Sequence, residues 1–205
     1  ASVLRINQRM KGFRRFPTNL LNEGIVFEQA VQLEKLNTLY ELLLGPNFIV
    51  SQVSASVKRT TPKPFAIHAD MNGYEQPFPG HSVIATSIFC CDEFTEDAGA
   101  TRFVPGSHHL RRHPVSGEGE SEAVAVAAPA GSIILWDGAM WHGNCPRTRP
   151  GERVVLHLTC NRQNVRPIES YTGIDPEVLR RNPPEFAALL GLTDRWERRE
   201  MVRDR

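Results

Sequence analysis

Two spacings of apolar residues divide the chain. From Glu28 to Leu44, Val31, Leu33, Leu36, Leu39, Tyr40 and Leu43 recur near the helical period, which predicts a helix with one packing face. Gly45-Pro46 supplies its stop, since glycine suits the position past the last turn and proline cannot continue the helix. Beyond it the period shortens to two. Gln52, Ser54, Ser56 and Lys58 alternate with Val53, Ala55 and Val57, which predicts a half-buried strand with one polar face over 48–58. Further strands are expected over 81–94, 101–104, 123–127, 132–136 and 153–160, separated by turns such as Asp97-Ala98-Gly99, Pro105-Gly106-Ser107 and Pro150-Gly151. Asp175-Pro176-Glu177 opens a second helical piece, and Gly191 closes it. Many short strands between Gly- and Pro-rich turns predict a mainly β chain, a sandwich or jelly roll, with packing helices at its flanks. The expected domain is single over 1–205, with a β core at about 47–162 and helical flanks at about 28–45 and 175–191.

Composition narrows the class rather than the fold. The chain has 205 residues and a formal net charge of +1, which argues against a dedicated nucleic-acid binder. No apolar run approaches the roughly 20 residues of a membrane span. The four cysteines, Cys90, Cys91, Cys145 and Cys160, have neither C-x-x-C nor zinc spacing, so reduced thiols in a cytoplasmic protein are expected. Arg5, Arg9, Lys11, Arg14 and Arg15 read as a solvated or partly ordered arm rather than an anion site, and the charged stretch 195–205 carries no assignment.

The chemistry concentrates in Pro64-Phe65-Ala66-Ile67-His68-Ala69-Asp70-Met71-Asn72-Gly73. An apolar run enters a His-x-Asp step and leaves through Asn-Gly, a strong turn signal. On a strand, positions i and i+2 share a side, so His68 and Asp70 would converge. They would make two thirds of a 2-His-1-carboxylate triad, which binds one face of Fe(II) and leaves the opposite face open. His142, at the end of the 132–136 strand and its extension, is the candidate third ligand. Arg153 follows eleven residues later, across what reads as a hairpin, where adjacent strands lie about 5 Å apart. A buried guanidinium calls for a carboxylate partner, which it can hold bidentately. A metal triad beside such a clamp suits an oxygenase that uses a 2-oxo acid.

These residues resemble the phytanoyl-CoA hydroxylase (PhyH) family of Fe(II)/2-oxoglutarate-dependent dioxygenases. The likeness runs from about Leu33 to Arg162. It includes His68-Ala69-Asp70, the segment from Asp97 through Pro105-Gly106-Ser107-His108, the Gly131-Ser132 turn, His142 and Arg153. The resemblance implies a double-stranded β-helix, cupin-like, in which His68, Asp70 and His142 bind iron and act in catalysis. Arg153 would hold the distal carboxylate of 2-oxoglutarate. With O2 consumed and succinate and CO2 released, the expected reaction is hydroxylation of an aliphatic C–H in a small-molecule substrate. The family's Gln-x-x-x-Asn-x-Lys strand pattern reads Gln52, Ser56 and Lys58 here, with serine in the asparagine slot. The position two after the distal histidine, commonly a hydroxyl residue, is Asn144. Gln52, Ser56 and Asn144 are therefore carried over as cosubstrate-binding candidates.

Other chemistry-bearing residues have plainer expectations. His108, His109, Arg111, Arg112 and His113 read as an exposed loop, or a lid that steers an anionic substrate. His157 shares the face of Arg153 and is expected to be a core histidine. Tyr74, Trp136 and Trp141 are candidates for a pocket wall. Two rival functions are a non-catalytic jelly-roll binding module and a cupin-type metal-dependent hydrolase or isomerase. Halogenases of the superfamily have a small residue in place of the carboxylate ligand, so Asp70 argues against that outcome. Neither the substrate nor the oligomeric state is legible.

Overall fold

The structure, a computed structural model, describes residues 18–193. The basic stretch from Arg5 to Arg15 and the charged stretch 195–205 lie outside these residues.

Among the described residues, eight strands fold as one long hairpin coiled on itself. They are β1 (Ile49–Lys58), β2 (Phe65–His68), β3 (Ile84–Cys90), β4 (Thr101–Phe103), β5 (Val124–Ala125), β6 (Ile133–Asp137), β7 (His142–Asn144) and β8 (Arg153–Asn161). First pairs with last and inward from there: β1 with β8, β2 with β7, β3 with β6 and β4 with β5, all antiparallel. Coiling then sets β8 beside β3 and β7 beside β4. Two four-stranded sheets result, in the orders β1-β8-β3-β6 and β2-β7-β4-β5. This is a double-stranded β-helix, the jelly roll that the strand pattern and the resemblance led one to expect.

The helices cover one sheet. The periodic stretch from Glu28 to Leu44 is not one helix but two, α1 (Ile25–Val31) and α2 (Glu34–Leu44), broken where Leu33 adopts an extended backbone. The break re-phases the apolar stripe. Phe27, Ala30 and Val31 of α1 and Leu36, Tyr40 and Leu44 of α2 enter one core with Val53, Ala55, Leu156 and Leu158, while Leu33 and Leu39 stay exposed. The Tyr40 hydroxyl donates to the Leu158 carbonyl at 2.7 Å and lies 2.8 Å from Ser87 Oγ, which fastens α2 to the sheet. The C-terminal piece is also double, α3 (Pro176–Arg181) and α4 (Pro184–Leu189), because Asn182-Pro183 interrupts it. Asp175 caps α3 by accepting from the Glu177 N–H at 2.9 Å. Glu28, fully buried on α1, accepts from Arg181 and from Asn182 at the end of α3, so both helical flanks are tied together.

With helices on its outer face, the first sheet is buried on both sides. The polar residues of β1 therefore do not face solvent as the alternation suggested: Gln52 and Ser54 point into the space between the sheets, and Val53 and Ala55 pack under α2. The same division holds on β3, where Ile84, Thr86 and Ile88 face inward, and on β8, where His157, Thr159 and Asn161 do.

The segment around His142 corrects two expectations. Residues 142–144 do not extend the preceding strand but form β7 in the other sheet. The Asp137 carboxylate accepts the Ala139 N–H at 2.7 Å, and the Met140 N–H bonds back to the Asp137 carbonyl at 2.9 Å, so the chain turns and crosses over. Nor do β7 and β8 form a hairpin. They belong to opposite sheets, roughly 10 Å apart rather than 5 Å. The crossing loop is built around Arg147, buried, whose guanidinium donates to the carbonyls of Ala98 at 3.0 Å and Pro150 at 2.9 Å.

Candidate metal centre and its cavity

Between the sheets lies a cavity of about 400 Å³. His68 ends β2, Asp70 follows two residues on, and His142 begins β7 directly opposite His68 in the ladder. Each offers one ligand atom, and these atoms all lie within 4.8 Å of one another. His68 Nε2 is 3.7 Å from Asp70 Oδ1, and His142 Nε2 is 3.6 Å from Asp70 Oδ2.

Backbone contacts explain why these atoms face inward. His68 Nδ1 lies 3.0 Å from the Ala66 carbonyl, and His142 Nδ1 lies 3.0 Å from the Met140 carbonyl. A carbonyl can only accept, so each Nδ1 carries a proton, and in the neutral ring Nε2 is left with the free lone pair that a metal ligand requires. The turn after β6 steadies both ligand segments: Gly138 accepts the Asp70 N–H at 2.8 Å, and Met140 holds His142. Thr86 on β3 donates to Asp70 Oδ2 at 3.1 Å and sits 3.3 Å from the Thr159 hydroxyl of β8. Burial, the larger influence, pushes the His142 imidazole below its usual range, and the Asp70 carboxylate opposes it. The ring is therefore neutral at pH 7, the form that ligates. Gly143 permits the close strand contact, since a Cβ there would stand 2.5 Å from the Phe65 carbonyl oxygen.

The other expected site residues divide. Gln52 and Asn144 line the cavity, with Asn144 Nδ2 donating to Thr101 Oγ1 at 3.2 Å. Ser56 does not line it; its hydroxyl lies 2.9 Å from His157 Nε2. His157 belongs to the wall rather than to a sealed core. Tyr74 and Trp136 line the cavity, whereas Trp141 is buried in a separate cluster and donates to the Arg112 carbonyl at 2.8 Å. The His108–His113 stretch is pinned rather than loose: Arg112 pairs with Glu118, the His113 ring packs edge-on against Phe78, and Arg111 donates to the Phe78 carbonyl at 2.5 Å.

Arg153 opens β8 on the face shared with His157 and Thr159 but is not among the residues that line the cavity. It is 3 % exposed, donates to the Gly99 carbonyl and stacks 4.4 Å above the Phe94 ring. Its Nε has no partner, and no described carboxylate forms an ion pair with it. Burial first, then the charge of Arg147, lowers its pKa to about 10, still protonated at pH 7. Nearby Lys58, whose Nζ donates to the Cys145 carbonyl at 2.8 Å, is lowered to about 8 by burial and by Arg153. Thr86, Thr159 and Asn161 are wall residues that the sequence reading missed. The only available signal was their period-two placement on otherwise apolar strands.

A double-stranded β-helix enclosing two histidines and a carboxylate is the architecture of an iron-dependent oxygenase. The chain belongs to the phytanoyl-CoA dioxygenase (PhyH) family, whose pattern matches residues 9–154 and whose members depend on Fe(II) and 2-oxoglutarate and use O2. Dioxygenase af480 of Aspergillus fumigatus is 29% identical over 159 residues, 76% of this chain and 51% of that protein. Dioxygenase cdmA of Talaromyces verruculosus is 30% identical over 107 residues, 51% of this chain and 35% of that protein. The chain thus spans about half the length, or less, of these relatives. Among solved structures, HygX from Streptomyces hygroscopicus with nickel and 2-oxoglutarate bound matches with a TM-score of 0.65 at 14% identity, covering 81% of this chain and 77% of that one. That likeness concerns the fold.

Proposed function

We propose that the chain is an Fe(II)- and 2-oxoglutarate-dependent oxygenase acting as one domain on a small organic substrate, with hydroxylation of an aliphatic C–H as its outcome. The observation that carries this reading is the donor set. Two imidazoles with Nδ1 engaged and Nε2 free, plus one carboxylate, converge within 4.8 Å on the wall of a cavity. Such a set suits a divalent first-row metal with open positions. His68, Asp70 and His142 would hold Fe(II), and Arg153 would meet the distal carboxylate of 2-oxoglutarate. The orphaned Arg153 Nε and the lack of an ion-pair partner among the described residues fit that role, because a buried cation needs an anion.

When bound, iron and 2-oxoglutarate together supply the oxidising chemistry, consuming O2 and releasing succinate and CO2. The protein's part is placement. Ala66 and Met140 fix the imidazole tautomers, and Thr86 orients the Asp70 carboxylate. Ile84, Ile88 and Trp136 keep the wall near the metal site apolar. Gln52 and Asn144 offer amide donors inside the same cavity. All four cysteines are free thiols, which fits a reducing cytoplasm, and no described helix is long and apolar enough to cross a membrane.

Succinate release tests the reading. Protein supplied with Fe(II), 2-oxoglutarate and air should form succinate, and an anaerobic sample should not. Equal succinate in both, or metal-loaded protein that fails to bind 2-oxoglutarate, contradicts the assignment.

A further inference from the structure

We propose that Arg166 at the cavity rim is the anchor for a negatively charged group of the substrate, so that the substrate is an organic anion with an apolar body. The inference rests on the oxygenase reading above and assigns its substrate class.

Three observations carry it. Among the described residues, Arg166 is the one Lys or Arg that lines the cavity, it is exposed, and no described side chain pairs with it. Its backbone is nevertheless fixed. Asn161 Nδ2 donates to the Arg166 carbonyl at 3.2 Å and to Ser51 Oγ at 3.0 Å. The Ile168 N–H donates to the same Ser51 Oγ at 3.0 Å, and the Glu169 N–H to the Ser51 carbonyl at 2.8 Å. Residues 166–169 are thus tied to β1 and β8 as a piece of wall.

The charge around the site gives the sign. A divalent ion, the Asp70 carboxylate, the dianionic 2-oxoglutarate and the Arg153 guanidinium balance to zero. The two ligand histidines bind a metal as neutral imidazoles and so add no charge. Arg166 is then an uncompensated positive charge facing the place where substrate must sit, and complementary potential selects an anion. A guanidinium binds carboxylate and phosphate alike, through paired N–H donors.

The apolar part follows from the rim. Phe65 and Ile168 are large hydrophobics left 55% and 64% exposed, and both line this cavity with Arg166. Ile84, Ile88 and Trp136 continue the apolar surface inward. A molecule held by its anionic end at Arg166 would lay its hydrocarbon body along these residues.

The test uses protein loaded anaerobically with Fe(II) and saturating 2-oxoglutarate, titrated calorimetrically with octanoate, octyl phosphate and uncharged octanamide. Cosubstrate binding is read first. If it fails, the oxygenase reading falls, before Arg166 is tested. With it in place, one of the charged probes should bind at least about tenfold more tightly than octanamide. Arg166→Gln should bring that ratio to within about twofold, leave octanamide unchanged and still bind 2-oxoglutarate, and Arg166→Lys should recover part of the preference. Equal binding of charged and neutral probes, binding of none, or a preference that survives Arg166→Gln overturns the proposal.

Discussion

Thr86 donates a hydrogen bond from its hydroxyl to Asp70 Oδ2 at 3.1 Å, joining the middle of β3 to the carboxylate of the triad. Asp70 lies just past β2, in the opposite sheet, so this contact spans the sandwich. A carboxylate on a short turn can rotate, and a hydroxyl on one oxygen leaves the other to face a metal. Thr86→Val keeps the shape and removes the bond. Loss of such a supporting contact costs about 10- to 100-fold in metal affinity. Competition with a chelator for Mn(II) should show a loss of that size, restored by Thr86→Ser. Unchanged affinity in Thr86→Val would remove Thr86 from the site.

Arg153 is a buried cation without an ion-pair partner among the described residues. Its truncation also removes the hydrogen bond to the Gly99 carbonyl and the stack on Phe94, so cosubstrate binding is read from the stability that 2-oxoglutarate adds and not from stability itself. Arg153→Ala should weaken 2-oxoglutarate binding by roughly 10²- to 10³-fold with metal affinity unaltered. In nickel-loaded protein, 2-oxoglutarate at a hundred times its wild-type Kd stabilises by about 2.7 kcal/mol. A hundredfold weaker variant would gain about 0.4 kcal/mol from the same concentration. Equal shifts in thermal midpoint would show that Arg153 is not the carboxylate clamp.

Gly143 tests the strand pairing that brings the two histidines together. A Cβ at this position would lie 2.5 Å from the Phe65 carbonyl oxygen and 3.1 Å from that of Ala66. Overpacking of this kind costs about 1–3 kcal/mol, so Gly143→Ala should lower stability by that amount and weaken metal binding as β2 moves off β7. Gly173→Ala, where a Cβ meets nothing within 4 Å, is the control. Urea unfolding of both variants gives the comparison.

What could be read from the sequence was what local spacing encodes. His68 and Asp70 sit two apart beside a strand, and the Asn-Gly turn follows, so their convergence needed no knowledge of partners. The caps at Gly45 and Asp175 were equally local. Partner-dependent features were not legible. The two inward faces of β1 and β3 look like any alternation until α2 covers the opposite side, which is why Thr86, Thr159 and Asn161 passed as ordinary strand residues. The break at Leu33 contains no glycine or proline; it follows from both helices turning their apolar stripes onto one sheet. The loop between His142 and Arg153 has the turn residues of a hairpin, yet it changes sheets because Arg147 gathers the Ala98 and Pro150 carbonyls.

His157 makes stability depend on pH. Burial lowers its imidazole to about 4, against an ordinary value of 6.5. On acidification the unfolded chain takes up this proton first, so the contribution is complete above about 6.5 and is lost as pH falls toward 4. By pH 4.5 the loss should reach about 2–3 kcal/mol. His157→Gln retains a polar neighbour for Ser56 and should lose correspondingly less between pH 7 and 4.5 in urea unfolding. Identical losses would mean that the ring gains its proton in the folded protein as easily as in the unfolded chain.

The measurement that bears most directly on the metal site is the anaerobic visible spectrum of the protein with Fe(II) and 2-oxoglutarate, recorded for the wild type and for Asp70→Asn. The amide has the volume of the carboxylate but not its charge, and it is a much poorer ligand. Wild-type protein should develop a weak charge-transfer band that saturates at one iron and one 2-oxoglutarate per chain. Asp70→Asn, checked for fold by circular dichroism, should lose the band at the same concentrations. A fully metallated wild type that binds 2-oxoglutarate without the band, or an Asp70→Asn variant that keeps it unchanged, would contradict the assignment of His68, Asp70 and His142 as the iron site.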